Sequence, residues 1–181
     1  LNRIERVRST ITGDLPSVYL LHGELDDKDI NNLYNHGKVK AMISLTKGEG
    51  FGRPLLEFTM TGKPVIASNW SGHKDFLSIN NSIMVGGKLT EVDDSAVDTF
   101  IIKGSKWFTA NYNEVVEVLK LVKKDYNKFL TKSKILKEEN KNNFSLSKMT
   151  EKFKSILTPF IVIPQQTKLI LPKLNKVKQN G

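Results

Sequence analysis

The 181-residue chain contains no cysteine and no long apolar run. The lack of cysteine excludes a disulfide framework and any thiolate site, and it favours a cytosolic setting. No stretch approaches the roughly 20 apolar residues of a membrane-spanning helix. The charged N-terminal sequence LNRIERVRST also lacks the apolar segment of a signal peptide. The chain is long enough to bury one ordinary core, so we expect a cytoplasmic globular protein.

Arginine is absent after residue 53, so the cationic residues of the C-terminal half are all lysine. Residues 101–181 carry 17 Lys and 6 Asp or Glu, a net charge of +11, whereas residues 1–100 are slightly acidic. Lysine lacks the planar fork that reads bases, and no RNA-binding motif occurs, so we expect no nucleic-acid partner. A solvated helix surface and an anionic membrane surface, with the protein peripheral to the membrane, remain the two alternatives.

Apolar runs alternate with amphipathic segments in the first half of the chain. The spacing predicts helices at about 26–36 and 54–61. It predicts strands at residues 17–21, 39–46, 64–68 and 82–85. Such alternation is typical of an α/β fold, and we predict a Rossmann-like, doubly wound parallel sheet.

The pattern changes at residue 113. Apolar residues then recur at steps of three and four, which predicts one long amphipathic helix to about residue 140. Ser145 or Ser147 can cap a last helix, whose predicted inward residues are Met149, Phe153, Ile156 and Leu157.

Three regions follow from these patterns. We predict a partial Rossmann-like domain over residues 1–110 and C-terminal helices packed on it over residues 111–157. Residues 158–181 form an extended or disordered basic tail in this prediction.

Residues 49–57, EGFGRPLLE, join a predicted strand to a predicted helix. Glycines at 48, 50 and 52 allow the backbone to approach a ligand closely. Pro54 suits the first helical turn, because its missing N–H would have no intrahelical partner there. The remaining N–H groups of that turn and the helix dipole predict an anion site.

Two acids, Glu49 and Glu57, bracket this predicted anion site. A carboxylate can accept hydrogen bonds from vicinal hydroxyls, as an acid does for ribose in dinucleotide folds. A diphosphate with a sugar on one side and a ribose on the other would account for both acids. The alternative is a solvated loop residue at position 49 and an exposed helix residue at position 57.

The segment EGFGRPLLEFTMTGKPVIAS resembles the nucleotide-sugar signature of the glycosyltransferase group 1 family, whose members are retaining enzymes of the GT-B fold. Glu49 and Glu57 have the family spacing of two acids with seven residues between them, and GKPVIAS follows in register. The resemblance covers roughly residues 17–90 and extends loosely to 157. It implies that residues 1–110 are a partial donor-binding domain of a glycosyltransferase, with a nucleotide-diphosphate sugar as its ligand.

The resemblance also implies site roles. Glu49 is the candidate catalytic residue, in contact with the hydroxyls of the transferred sugar, and Glu57 holds the ribose hydroxyls. It implies that the amides of Gly50, Phe51 and Gly52 contact the sugar–phosphate region. It also implies that the amides of Leu55 and Leu56 contact the phosphates.

Four further side chains are candidates near the donor. Arg53 and Lys63 can act as cations for the diphosphate, although a surface charge is the alternative for each. The loop NWSGHKDFL occupies the place of a G-G-x-x-E segment in the family. Asp75 stands in for that Glu, and His73 reaches phosphate or sugar unless it is an ordinary loop histidine.

Some elements of the family pattern are missing from this sequence. The family's Arg–Lys pair for the diphosphate and its N-terminal acceptor-binding domain would both precede Leu1, so we expect the chain to be part of a longer enzyme. We expect no cofactor and no metal, because the family needs none and the three histidines lack ligand spacing. The alternatives are a non-catalytic nucleotide-sugar binding module and a protein of the nucleotide-sugar 2-epimerase type.

Overall fold

The computed structural model describes residues 2–161. Contacts divide the chain into two units, Leu1–Asn140 and Lys141–Gly181. Among residues 2–161, no helix combines the length and the apolar character needed to cross a membrane.

Three short strands form the main sheet of the first unit. They lie side by side, all parallel, in the order β1 (Met42–Ser44), β2 (Val65–Ser68) and β3 (Ile83–Val85). Helix α2 (Asp27–Asn35) precedes β1, and helix α3 (Arg53–Thr59) connects β1 to β2. The predicted parallel α/β arrangement is therefore confirmed, with β1 shorter than the run at 39–46.

The two helices beside this sheet begin where their sequences predict. The Asp29 N–H donates to Asp26 Oδ1 at 2.7 Å and caps α2. Gly52 lies in the left-handed region (φ +86°) just before α3, and Pro54 follows in the first turn. Gly62 (φ +70°) ends the turn after α3, where a side chain would be strained.

The predicted strand at 17–21 is wrong. After helix α1 (Asn2–Ser9) the chain has no regular structure up to α2. Val18 and Tyr19 are 55% and 89% exposed. A buried parallel strand needs a hydrogen-bonded neighbour and cover on both faces. No described residue supplies either to this segment, so its apolar pattern alone does not produce a strand.

An antiparallel hairpin follows the sheet, formed by β4 (Gly87–Glu91) and β5 (Lys106–Ala110). The sequence did not predict it, because each strand is short and the pattern includes glycine and lysine. Phe108 of β5 enters the core of the first unit. That core also contains Ile66, Val85, Ala110, Val115 and Val122. The hairpin thus contributes to the same apolar interior as the parallel sheet.

The single long helix predicted from residue 113 is also wrong. The structure has two helices, α4 (Tyr112–Lys124) and α5 (Tyr126–Asn143), separated at Asp125 (φ −119°, ψ 42°). This break orients Tyr126, whose hydroxyl donates to the Lys40 carbonyl at 2.9 Å and whose ring packs against the core.

Helix α6 (Leu146–Leu157) lies in the second unit and begins after the predicted cap. Ser145 Oγ accepts from the Lys148 N–H at 3.3 Å. The predicted inward face is exposed, however, and Phe153 is 64% accessible, because no described segment covers it. The tail predicted to be extended starts with a 3₁₀ turn at Thr158–Phe160, and its residues 162–181 lie outside the described residues.

Candidate functional site

The loops that follow the three parallel strands share one edge of the sheet, because the carboxyl ends of parallel strands lie together. The glycine-rich loop, residues 48–52, comes after β1, and the supporting turn, residues 71–73, comes after β2. In open α/β sheets this edge is where ligands bind. The fold thus places the predicted site segment at a suitable position.

Glu49 is half-buried in the glycine-rich loop. Its N–H donates to Ser71 Oγ at 2.7 Å, and its carbonyl oxygen accepts from the Gly72 N–H at 3.0 Å. Among residues 2–161 its carboxylate has no hydrogen-bond or ionic partner. The main chain is therefore held on both sides, while the acid is available to a ligand.

The rest of the loop combines an open position with a tightly packed one. Gly50 is exposed, with nothing near the place a Cβ would take, so a ligand can approach its backbone. Phe51 packs on Phe76, with ring centroids 5.1 Å apart. A Cβ on Gly52 would lie 3.1 Å from His73 Cβ. Its left-handed φ and this contact both favour glycine at position 52.

The implied phosphate contacts of two amides do not fit the structure. The N–H groups of Leu55 and Leu56 both donate to the Gly52 carbonyl, at 2.9 and 3.2 Å. These bonds close the first turn of α3, which has only seven residues. Neither amide is left free for a phosphate, so this part of the expectation is corrected.

Arg53 and Glu57 form an ion pair one helical turn apart, with Arg53 Nε 3.0 Å from Glu57 Oε1. The side chains are 81% and 46% exposed, and exposed pairs of this kind stabilise a helix only weakly. A ligand that offers better partners can therefore separate them. Both residues line a cleft of about 540 Å³ between α2 and α3, opposite Asn31, Tyr34 and Asn35.

Tyr34 forms the floor of this cleft, and its ring meets the buried Phe58 ring edge-on at 5.3 Å. Burial and the nearby Glu57 carboxylate raise the pKa of the Tyr34 hydroxyl above its usual value. The Glu57 carboxylate therefore interacts electrostatically with the Tyr34 hydroxyl. No signal in the sequence indicated that Tyr34 would share a cleft with Glu57.

His73 is fully buried, which does not fit the prediction that it reaches phosphate or sugar. Its Nε2 lies 2.6 Å from the Ser68 carbonyl oxygen at the end of β2. Because a carbonyl only accepts, Nε2 carries the proton and donates it. Asp75 lies two residues further along, at the end of a 3₁₀ turn, and is exposed.

Lys63 has a structural role in place of the suggested contact with the diphosphate. Its Nζ donates to the carbonyl oxygens of Tyr34 and His36, at 2.6 and 2.9 Å. These carbonyls lie at the C-terminal end of α2, where a cation is favoured by the helix dipole. Burial and the charge of Lys40 lower the pKa of Lys63. Lys63, just before β2, is therefore hydrogen-bonded to the end of α2.

Two residues missed from the sequence complete the site, Ser71 and Gly72. Both contact Glu49 directly. Their place after β2, in the loop NWSGHKDFL, was the signal that could have found them, since loops after neighbouring parallel strands meet. Within residues 2–161, no group of three or more His, Asp or Glu side chains is arranged to hold a metal ion.

Comparison with known proteins agrees with this architecture. Residues 14–89 match the family model of glycosyl transferases group 1. The match includes the glycine-rich loop, both acids and the supporting turn. The resemblance seen in the sequence is confirmed by this match over residues 14–89. No curated protein sequence gives a match to the chain.

Two similar solved structures are of HepE from Anabaena, one in complex with UDP and glucose and one in complex with UDP-glucose. Each superposes with a TM-score of 0.53 at 16% sequence identity, over 72% of this chain and 30% of that chain. The likeness establishes a shared fold, that of a Rossmann-like GT-B fragment. The chain spans 30% of the length of these structures.

Replacing Glu57 with glutamine is expected to lower the pKa of the Tyr34 hydroxyl, because the substitution removes one of the two causes of its rise. Burial remains, so the pKa stays above the usual value of about 10. An alkaline titration followed by the NMR shift of Tyr34 Cζ measures this. Glu117→Gln, on the exposed side of α4, is the matched control and leaves Tyr34 unchanged. Equal pKa values in Glu57→Gln and the parent protein would contradict the shared cleft.

Proposed function

We propose that this chain is the donor-binding part of a retaining glycosyltransferase that uses a nucleotide-diphosphate sugar. The observation that carries the proposal is the placement of two acids around one glycine-rich loop at the carboxyl edge of a parallel sheet. Within the part of the chain that the structure describes, Glu49 has an unpartnered carboxylate on a fixed main chain, and Glu57 faces a cleft. The family match over residues 14–89 supports the same function.

In this proposal each acid binds hydroxyls of one part of the donor. Glu49, the catalytic residue, contacts hydroxyls of the transferred sugar, and Glu57 accepts hydrogen bonds from the ribose hydroxyls. The backbone of residues 50–52 lines the sugar–phosphate region, supported by the open space around Gly50. Asp75 contributes from the neighbouring exposed turn, near the base and ribose.

Donor binding is proposed to exchange the partners of the exposed ion pair. Glu57 turns from Arg53 to the ribose, and the Arg53 guanidinium turns to the diphosphate, to which it can offer a bidentate contact. The weakness of an exposed pair supports the exchange, since little free energy is lost when the two side chains separate.

The reaction proposed for the parent enzyme keeps the anomeric configuration. The nucleoside diphosphate leaves from the same face at which the acceptor attacks, and its charge is stabilised by cationic side chains and backbone dipoles. No metal and no cofactor are proposed. An N-terminal domain that binds the acceptor is the proposed partner, because the chain spans 30% of the length of its structural neighbours. The proposed location is the cytoplasm.

A binding panel on the full-length polypeptide that contains this chain tests the donor site. We expect it to bind one of UDP-glucose, GDP-mannose or ADP-glucose, with UDP-glucose first because the HepE structures contain UDP and glucose. Glu57→Ala should weaken calorimetric binding by about 10- to 100-fold, the equivalent of hydrogen bonds to a charged group. EDTA should have no effect. Glu117→Ala is the control.

The panel has clear contrary outcomes. Glu57→Ala with unchanged affinity would show that this acid does not hold the ribose. Affinity that disappears on adding EDTA would show that a metal takes part in donor binding.

We propose, as a partner for the C-terminal region, an anionic membrane surface. Helix α6 has an exposed apolar face that includes Met149 and Phe153, with Lys148 and Lys152 along the same helix. Helices with an apolar face and flanking lysines bind the interface of anionic lipid. The net charge of +11 over residues 101–181 complements such a surface.

Vesicle co-sedimentation tests this partner. The chain should bind vesicles that contain phosphatidylserine and not those of phosphatidylcholine alone, and added salt should weaken the binding. Phe153→Ser should reduce binding by about tenfold, because a buried aromatic side chain is lost from the lipid. Leu121→Ser, at an exposed site on α4, should not. Equal binding to both vesicles, or no binding, would contradict the proposal.

A further inference from the structure

We infer that Ser71 and His73 are positioning residues, which set the place of the Glu49 carboxylate without touching the donor. The inference rests on the proposed function of Glu49 and assigns a task to the supporting turn. Four observations on the supporting turn support this inference.

The first observation is that the supporting turn holds the main chain of Glu49 from both ends. Ser71 Oγ accepts from the Glu49 N–H at 2.7 Å, and the Gly72 N–H donates to the Glu49 carbonyl at 3.0 Å. With both peptide groups of one residue fixed, its Cα–Cβ direction is fixed as well. The carboxylate can then sample only its own side-chain rotamers.

The second observation is that the two segments are as close as their backbones permit. A Cβ at position 72 would collide with the carbonyl oxygen of Gly50. Glycine at 72 is therefore required for this approach. The backbone of residues 49 and 50 therefore lies directly against the supporting turn.

The third observation is backbone strain at Ser71. With φ +75° and ψ −159°, it is the one non-glycine residue with a positive φ within residues 2–161. Glycine would adopt this conformation at lower cost, but it would lack the hydroxyl that accepts from the Glu49 N–H. Strain of this kind is typical of functional segments.

The fourth observation is the attachment of the turn to the sheet through His73. The buried Nε2–H donates to the Ser68 carbonyl at 2.6 Å, at the last residue of β2. The His73 Cβ also lies beneath Gly52, at the other end of the glycine-rich loop. His73 therefore connects the end of a central strand to the turn and to the loop that carries Glu49.

The test uses the full-length polypeptide and its slow hydrolysis of UDP-glucose, GDP-mannose or ADP-glucose. In this reaction water attacks the anomeric carbon, the bond to the diphosphate oxygen breaks, and the nucleoside diphosphate that leaves is measured. Ser71→Gly is the decisive variant, because it relieves the strained φ while removing the hydroxyl. We expect its melting temperature to be unchanged or higher and its kcat to be about tenfold lower. KM for the donor should stay within about twofold, because Glu57 and Arg53 are untouched.

A second pair of variants tests His73. A glutamine amide can reach the Ser68 carbonyl from the place of Nε2, whereas the shorter asparagine amide lies at the place of Nδ1. His73→Gln should therefore retain most of the kcat, and His73→Asn should lower it about tenfold. Rescue by the glutamine distinguishes the hydrogen bond from simple filling of the space.

Two results would overturn the inference, and only the first would also overturn the proposed function. If the parent polypeptide hydrolyses none of the three donors, the proposed function fails and the inference fails with it. If the parent polypeptide is active and Ser71→Gly matches its kcat, the proposed function stands and the positioning role is wrong.

Discussion

Two hydrogen bonds to the main chain of Glu49 join the loop after β1 to the turn after β2, and the arrangement of the site depends on them. They form because adjacent parallel strands bring their carboxyl ends together and because glycine at 72 lets the two backbones touch. His73 fixes the supporting turn to β2 through its hydrogen bond to the Ser68 carbonyl. A flexible glycine-rich segment thereby acquires a defined conformation, which a site that orients a sugar requires.

The two acids of the site are supported in different ways. Over residues 2–161, Glu49 has a fixed backbone and an unpartnered carboxylate, which suits a group that must meet the reacting sugar in one geometry. Glu57 stands on a helix and pairs with an exposed residue, Arg53. That arrangement suits a group that binds when the donor arrives. A fixed Glu49 near the reacting sugar and an exchangeable contact of Glu57 further away are compatible with one donor that lies across the loop.

Local sequence patterns were sufficient for the elements that depend on local interactions. The cap at Asp26, the proline in the first turn of α3 and the apolar run Val65–Ala67 of β2 each have a cause within a few residues. Patterns failed where the outcome depends on distant partners. The run at 17–21 has no strand beside it among the described residues, and the break at Asp125 accompanies a hydrogen bond from Tyr126 to the distant Lys40 carbonyl.

The candidate site shows the same division. The acids and glycines were visible from their spacing, whereas the burial of His73 and the bond from Ser71 to Glu49 depend on two loops 22 residues apart in sequence. The amides of Leu55 and Leu56 were mispredicted because the carbonyl of Gly52, the residue before α3, accepts the first hydrogen bonds of the helix. Spacing identifies residue types, but the hydrogen-bond partners appear only in the fold.

The most direct measurement is a crystal structure of the full-length polypeptide with an intact nucleotide-diphosphate sugar. The account predicts the Glu57 carboxylate about 2.7 Å from the ribose hydroxyl oxygens and the Glu49 carboxylate on hydroxyls of the sugar. The bond from the Glu49 N–H to Ser71 should be retained. A donor bound elsewhere, with Glu57 still paired to Arg53 and no sugar at Glu49, would contradict it.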